Sequence, residues 1–226
     1  MVENRIIVIG DIHGCSKTFA RMLWDVLKIR KSDKIILLGD YIDRGPNPKE
    51  VVDIIINLID KGYEIIPLMG NHESLMLNSE NSTGELLNWL QNNADTTLKS
   101  FKIRRFDDLD EKYKSFFNNL RYYYILDNFV TVHAGLNFDI DNPFSDSNSM
   151  VWLRYYDTKR EKIGGRRLIV GHTPGTLATI QQSLKTDNIL IDGGCVYSNQ
   201  YSKFGYLVAL EINSMELFAQ RNIEPE

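Results

Sequence analysis

The chain has 226 residues, of which 43% are hydrophobic and 25% are charged. This length can bury a sizeable core, and this balance is typical of a globular protein rather than a disordered or fibrous one. Its 26 basic and 30 acidic side chains give a net charge of −4, which argues against a general nucleic-acid-binding protein. We therefore expect one globular domain over residues 1–226 that has no nucleic-acid partner.

The two cysteines, Cys15 and Cys195, are far apart in sequence and suggest neither a disulfide framework nor a CxxC metal site. The N-terminal residues contain no basic stretch followed by an apolar one, as a secretion signal would. The most apolar helical stretch, residues 51–59, is far shorter than the roughly 20 residues that span a bilayer. These features predict a cytoplasmic protein with no membrane partner.

Short runs rich in isoleucine and valine, each ended by glycine or a polar residue, predict buried strands. These runs are residues 5–10, 34–39, 64–70, 128–133, 167–171, 189–192 and 206–212. Apolar residues at helical spacing predict helices over residues 16–29 and 48–60, between the first three strands. The order β-α-β-α-β indicates an α/β protein with parallel strands, whose ligands bind in the loops beyond the carboxyl ends of the strands.

The alternation of predicted strands and helices is interrupted in the middle of the chain and again near its end. Helix-like stretches broken by polar segments predict a helical insertion at about residues 73–121. Near the C-terminus, the runs 206–212 and 215–220 are separated by Asn213 and Ser214, which predicts a β-hairpin.

Each of the four histidines ends or directly follows a strand-like run, as do two aspartates. The histidines are His13, His72, His133 and His172, and the aspartates are Asp11 and Asp40. Imidazole nitrogens and carboxylate oxygens suit divalent metals such as Mn, Fe and Zn, and no cysteine cluster suggests a structural zinc site. Asp11 and His13 are two residues apart, so both can turn toward one ion. We interpret this pattern as an open, catalytic metal site.

Five blocks, in this order, resemble the phosphoprotein phosphatase family. They are Gly10-Asp11-Ile12-His13-Gly14, Gly39-Asp40-Tyr41-Ile42-Asp43-Arg44-Gly45, Gly70-Asn71-His72-Glu73, His133-Ala134-Gly135 and Gly171-His172-Thr173. The chain length and the compact middle segment resemble the bacterial and phage serine/threonine protein phosphatases of that family. The resemblance implies a calcineurin-like metallophosphoesterase fold, which is a two-sheet β-sandwich flanked by helices. It also implies that the middle insertion borders the substrate cleft.

The resemblance implies two divalent metal ions, with Mn expected in vitro and Fe or Zn possible with the same donors. One metal would be held by Asp11 and His13, the other by Asn71, His133 and His172, and Asp40 would bridge them. A water or hydroxide would be the second bridge and would attack phosphorus directly in line. Two metals about 3.5 to 4 Å apart lower the pKa of such a water and hold the phosphate oxygens.

The resemblance also assigns roles to four residues that bind no metal. His72 would protonate the leaving oxygen, and Asp43 would orient His72. Arg44 and Arg154 would bind the phosphate oxygens through their guanidinium groups.

The function predicted in this way is phosphomonoester hydrolysis, with phosphoserine and phosphothreonine in proteins or peptides as substrates. One alternative is a symmetrical dinucleoside-tetraphosphate hydrolase, which shares the metal scaffold. That subfamily lacks the aspartate of the Asp-Arg-Gly block and carries Asp after Asn-His, so Asp43 and Glu73 favour the protein phosphatase. An alternative of another class is a catalytically inactive regulator that binds metal or phosphate.

Overall fold

The computed structural model describes residues 4–225, in which nine strands form two sheets that pack face to face. The first sheet has the order β3-β2-β1-β8-β9 and the second has the order β4-β5-β6-β7. The strands of the first sheet are β1 Ile6–Ile9, β2 Lys34–Leu37, β3 Glu64–Pro67, β8 Tyr206–Glu211 and β9 Glu216–Arg221. Those of the second are β4 Tyr123–Ile125, β5 Phe129–Val132, β6 Arg167–Val170 and β7 Asn188–Leu190.

Eight α-helices flank the sheets in the described part of the chain. They are α1 Ser16–Arg21, α2 Pro48–Asp60, α3 Asn71–Asn78, α4 Thr83–Gln91, α5 Asp95–Phe101, α6 Glu111–Asn118, α7 Ser147–Trp152 and α8 Leu177–Ser183. The helix predicted over residues 16–29 is shorter than expected, because α1 continues as a π-helical turn over Met22–Val26. The helix predicted over residues 48–60 is confirmed as α2.

Alternating side chains of the strands supply two separate layers of the core, as the pleat of a strand requires. Ile7 and Ile9 of β1 pack against Phe19 of α1 and Val52 of α2. Val8 points the other way, into the layer between the two sheets. The helices are therefore anchored to the outer face of the first sheet, and the loops between strands and helices are held at one edge of the sandwich.

The strand pairing agrees with the sequence prediction in the N-terminal third. β1 pairs in parallel with β2, and β2 pairs in parallel with β3. β5, β6 and β7 are parallel as well. The carboxyl ends of six parallel strands therefore lie on the same side of their sheets, where the predicted site residues follow them.

The C-terminal hairpin is confirmed, although its turn differs from the prediction. Glu211 of β8 pairs with Glu216 of β9, so four residues rather than two form the connection. Met215 takes a left-handed backbone conformation there, with a φ of 59°. Strand β4 was not predicted, because its three residues form a short edge strand without a long apolar run.

The helical insertion begins two residues earlier than the predicted 73–121, since α3 starts at Asn71. Helices α3 to α6 fill the chain between β3 and β4. The first helix of this segment thus opens with a predicted metal ligand.

None of the helices within residues 4–225 combines the length and the apolar composition needed to cross a membrane.

Candidate metal centre and active site

Each predicted metal ligand lies in the segment that follows a parallel strand. Asp11 and His13 follow β1, Asp40 follows β2, Asn71 follows β3 as the first residue of α3, His133 follows β5 and His172 follows β6. Asp192, which follows β7, lines the same cavity as four of them, which are His13, Asp40, Asn71 and His172. All seven side chains are buried. The fold therefore brings together ligands that are separated by up to 161 residues in the chain.

The backbone of this site is strained at five of its residues. Left-handed φ angles occur at His13, Asp40, Asp43, Arg44 and His172, with values between 45° and 65°. Residues other than glycine rarely adopt this conformation, and it persists only where surrounding contacts enforce it. The strain is therefore concentrated where the loops turn their side chains toward one another.

His13 and Asp40 form the centre of the first donor cluster. His13 Nε2 lies 3.2 Å from Asp40 Oδ2. His13 Nδ1 lies 2.9 Å from the carbonyl oxygen of Ile42, which can only accept a hydrogen bond. The proton is thus placed on Nδ1, and the lone pair of Nε2 faces the cluster, as in metal-binding histidines oriented by a backbone carbonyl.

His133, Asn71 and His172 form the second cluster. Asn71 Oδ1 lies 3.0 Å from His133 Nε2 and 3.0 Å from His172 Nδ1. His133 Nδ1 donates its proton to the carbonyl oxygen of Leu38 at 2.9 Å, which leaves Nε2 as a lone-pair donor. Two lone pairs that face each other in this way need a cation between them. This arrangement fits a divalent metal ion.

Asp40 is shared by both clusters, as the bridging role predicts. Its Oδ1 lies 3.5 Å from His133 Nε2, while Oδ2 faces His13. Burial alone would raise the pKa of this carboxyl, but the neighbouring His133, His72 and His13 lower it well below its usual value. Asp40 is therefore ionised at neutral pH.

Asp11 and Asp192 add further buried carboxyl groups to the site. Burial, together with the charges of Asp192 and Asp40, raises the pKa of Asp11 well above its usual value. Burial likewise raises the pKa of Asp192 to about 6. A bound divalent cation favours the charged form of such groups, so this concentration of buried acids also fits a metal centre.

The geometry does not place Asp11 in the first cluster as closely as predicted. The donor atoms that lie within 4.8 Å of one another belong to His13, Asp40 and His72. Asp11 instead accepts hydrogen bonds from the backbone N–H of His172 at 3.0 and 3.2 Å. A Cβ on Gly171 would lie 2.2 Å from Asp11 Oδ1, so this close approach requires glycine. Metal binding by Asp11 stays a prediction.

The predicted pair of His72 and Asp43 is in hydrogen-bond contact. His72 Nδ1 lies 2.7 Å from Asp43 Oδ2, and both side chains are buried. His72 Nε2 has no hydrogen-bond partner. Burial lowers the pKa of His72 to about 4 and raises that of Asp43 to about 7. The free Nε2 is thus presented beside the donor atoms of His13 and Asp40.

Two residues of the helical segment hold Asp43 in place. Trp89 Nε1 donates to Asp43 Oδ2 at 3.0 Å, and Thr97 Oγ1 donates to Asp43 Oδ1 at 2.5 Å. Asp43 N in turn donates to Thr97 Oγ1 at 2.9 Å. The sequence prediction missed both supports, because they lie 46 and 54 residues beyond Asp43 in a segment without a motif.

Glu73 positions the loop that carries Asp40. Its buried carboxylate accepts hydrogen bonds from the backbone N–H groups of Asp40, Tyr41, Ile42 and Gly70, at distances from 2.8 to 3.2 Å. Because these donors surround the left-handed residue Asp40, the carboxylate stabilises the strained turn. The sequence showed Glu73 only as part of a family block and gave no sign of this role.

The predicted phosphate-binding arginines lie on the same cavity, whose volume is about 80 Å³. Arg44 contacts His13 Nε2 and lies over the ring of Tyr197, 5.6 Å from its centroid. Arg154 lines the cavity next to His172. The expected border from the helical insertion is not found among the described residues lining the cavity, apart from Asn71 at its start. The remaining lining comes from the loops after β1, β2, β6 and β7 and from Arg154 after α7.

A β-sandwich with two clusters of buried carboxylate and imidazole donors, beside two arginines, defines the class of the metallophosphoesterases. The chain belongs to the calcineurin-like phosphoesterase family, whose model matches residues 4–211.

Three known proteins illustrate the likeness. The chain is 25% identical to the asymmetrical bis(5′-nucleosyl)-tetraphosphatase PrpE of Anoxybacillus flavithermus, over 88% of this chain and 89% of that protein. A crystallised candidate diadenosine tetraphosphatase superposes with a TM-score of 0.64 and 18% identity, covering 99% of this chain and 96% of that chain. A serine/threonine phosphatase of Saccharomyces cerevisiae has a TM-score of 0.69 and 15% identity, covering 99% and 81% of the two chains. At 18% and 15% sequence identity, the similarities to these two solved structures show a shared fold.

Proposed function

We propose that the protein is a metal-dependent hydrolase of bis(5′-nucleosyl) tetraphosphates. The observation that carries this proposal is the convergence of two donor clusters and two arginines on one cavity, which suits a phosphate group of the substrate. The substrate is supported by the asymmetrical tetraphosphatase that aligns with this chain over nearly the whole length of both proteins. This substrate replaces the phosphoprotein predicted from the sequence as the first choice.

The donor clusters and the arginines have separate roles, which are metal binding and phosphate binding. His13, Asp40, Asn71, His133 and His172 would hold two divalent metal ions, with Asp11 as a further ligand. When bound, such ions supply Lewis-acid charge for the phosphate oxygens and activate water for attack. Arg44 and Arg154 bind further phosphate oxygens, because a guanidinium group offers several N–H donors in a planar fork.

His72 acts on the leaving group. In its imidazolium form, His72 would donate the proton on Nε2 to the oxygen that departs from phosphorus, while Asp43 holds Nδ1 and the ring orientation. A nucleotide leaving from a phosphoanhydride is a weakly basic group, so its departure depends little on this proton. An alkoxide leaving from phosphoserine depends on it strongly.

The second candidate function is therefore a serine/threonine protein phosphatase. The observation that favours it is the buried pair of His72 and Asp43, with its three side-chain and backbone bonds to Trp89 and Thr97. Such a supported general acid is most useful for a basic leaving group.

Turnover of two substrates, measured in separate assays, distinguishes the two functions. Protein loaded with Mn²⁺ is given diadenosine tetraphosphate and, separately, a phosphothreonine peptide, and kcat/KM is measured for both. The proposal predicts the higher value for the dinucleotide, with ATP and AMP as products of an asymmetrical split. Two ADP molecules would instead indicate a symmetrical split, and a higher value for the peptide would favour the protein phosphatase. Metal binding without turnover of either substrate would favour the inactive regulator.

A further inference from the structure

An exposed tyrosine stands beside the phosphate-binding cavity. Tyr155 directly follows Arg154 and is 91% exposed. It lies in the segment of residues 153–159, which follows α7 and forms no helix or strand. A large aromatic ring that is left almost wholly in water next to a binding site is a typical contact for a flat ligand group.

The neighbouring tyrosine holds this segment in place. Tyr156 donates a hydrogen bond from its hydroxyl to the carbonyl oxygen of Ala134 at 3.0 Å. Its ring also packs on Gly135, where an added Cβ would lie 2.3 Å from a ring carbon. Since Ala134 and Gly135 directly follow the metal-site residue His133, the position of Tyr155 is tied to the metal centre.

Two surface pockets are lined by Tyr155, and one of them shares Arg154 with the catalytic cavity. Arg154 lines the catalytic cavity and also a shallow depression of about 510 Å³ that it shares with Tyr155, Tyr156 and Asp157. The same tyrosines and Asp157 form one wall of a second pocket of about 400 Å³. A pocket of this size can hold a nucleoside.

The second pocket has the mixed lining that a nucleoside needs. Leu153 and the ring of Tyr155 supply exposed apolar surface, while Asp157 and Lys159 supply charged groups at its rim. Lys159 Nζ donates to Asp139 Oδ1 at 3.1 Å and to the carbonyl oxygen of Phe138 at 3.4 Å, which leaves one N–H donor for a ligand. An aromatic face, apolar walls and a polar rim match a base, a ribose and a linking phosphate.

We propose that Tyr155 and this second pocket form the nucleoside subsite of the enzyme, in which the base of the substrate stacks on the Tyr155 ring. The subsite rests on the proposed function, because a nucleoside reaches it only as part of a substrate whose phosphates are bound at Arg154. Because Arg154 and Tyr155 line one shared depression, a single ligand can contact both side chains. Tyr155 is thus a specificity-determining residue that plays no part in the chemical step.

Tyr155→Ala is the variant that tests the subsite, with Tyr155→Phe to retain the ring. Tyr122→Ala is the matched control, since Tyr122 is also an exposed tyrosine but lines neither pocket. Each Mn²⁺-loaded protein is assayed with diadenosine tetraphosphate and with β-glycerophosphate, which has no aromatic group. Calorimetric binding of diadenosine tetraphosphate to the metal-free proteins gives a second readout that does not depend on turnover.

We expect Tyr155→Ala to weaken dinucleotide binding and to raise its KM by at least about fivefold, as loss of one stacked base does. Tyr155→Phe and Tyr122→Ala should behave like the wild type, and kcat/KM for β-glycerophosphate should change by less than about twofold in every variant.

Three outcomes would overturn the subsite, and a parallel assay with a phosphothreonine peptide makes all three distinguishable. If the wild type hydrolyses diadenosine tetraphosphate and Tyr155→Ala does so equally well, the subsite is wrong while the proposed function stands. If the wild type hydrolyses β-glycerophosphate but not the dinucleotide, both are wrong. A KM increase in Tyr155→Ala that is confined to a phosphothreonine peptide would assign the pocket to peptide binding and overturn the nucleoside subsite.

Discussion

His72 Nδ1 lies 2.7 Å from Asp43 Oδ2, and His72 Nε2 is buried without a hydrogen-bond partner beside the donor atoms of His13 and Asp40. An imidazole in this setting is fixed at one nitrogen and available at the other. In the function that we propose, the imidazolium form of His72 donates its Nε2 proton to the leaving group.

Removal of this imidazole should have an effect that depends on the leaving group. We expect His72→Ala to lower kcat for phenyl phosphate by about 10²- to 10⁴-fold, the usual range for loss of a general acid. For p-nitrophenyl phosphate, whose leaving group is less basic, the loss should be smaller. Steady-state kinetics on this pair of substrates check the prediction, and equal losses on both would show that His72 acts in another way.

Thr97 should support activity through Asp43. Thr97→Val keeps the shape of the side chain but leaves Asp43 Oδ1 and the Asp43 N–H without a partner. We expect the free energy of unfolding to fall by about 1 to 3 kcal/mol and kcat to fall, whereas Thr97→Ser should retain kcat. Urea unfolding and kinetics measure both effects. The neighbouring Thr96→Val is the control, and a Thr97→Val enzyme with wild-type kcat would contradict the role.

Glu73 should stabilise the metal site by holding the loop that carries Asp40. In Glu73→Gln, the carboxamide NH₂ would face backbone N–H groups that now donate to a carboxylate oxygen. The loop that carries Asp40 would then relax from its left-handed conformation, and Mn²⁺ would bind more weakly by about 10- to 100-fold, as for other outer-shell changes. Calorimetric Mn²⁺ titration tests this, with Glu85→Gln on α4 as the control. An unchanged Mn²⁺ affinity in Glu73→Gln would contradict this role of Glu73.

The stoichiometry of metal binding should separate ligands from the general acid. Metal-free wild-type protein should bind two equivalents of Mn²⁺, and each bound ion should raise the free energy of unfolding by about 2.7 kcal/mol at a free metal concentration 100 times its Kd. His172→Ala should bind one equivalent fewer, because it removes a donor of the second cluster. His72→Ala should still bind two. Loss of a metal in His72→Ala would instead make His72 a ligand of the first cluster, alongside His13 and Asp40.

The sequence predicted the strands well because each one is a short apolar run ended by glycine or a polar residue. The candidate site residues could be named for the same reason, since the segments after β1, β2, β3, β5 and β6 carry recognisable blocks, and their roles stay predictions. The π-helical turn at Met22–Val26 and the edge strand β4 have no comparable local pattern, and they depend on packing with neighbouring elements.

The supports of the site were harder to predict than its ligands. Thr97 and Trp89 are ordinary residues of amphipathic helices, and only the folded chain brings them to Asp43. Glu73 is a charged residue next to His72, and nothing local shows that four backbone N–H groups surround it. The choice of substrate also lay beyond the motifs, because the same metal ligands serve phosphomonoesters and phosphoanhydrides.

Metal-dependent hydrolysis of dinucleoside tetraphosphates is tested most simply by titrating metal-free protein with Mn²⁺ and following nucleotide release from diadenosine tetraphosphate by chromatography. We predict that turnover appears as the protein becomes loaded with two equivalents of metal, with ATP and AMP as products. A chelator should abolish this turnover. Intact diadenosine tetraphosphate in the presence of protein that holds two metal ions would contradict it.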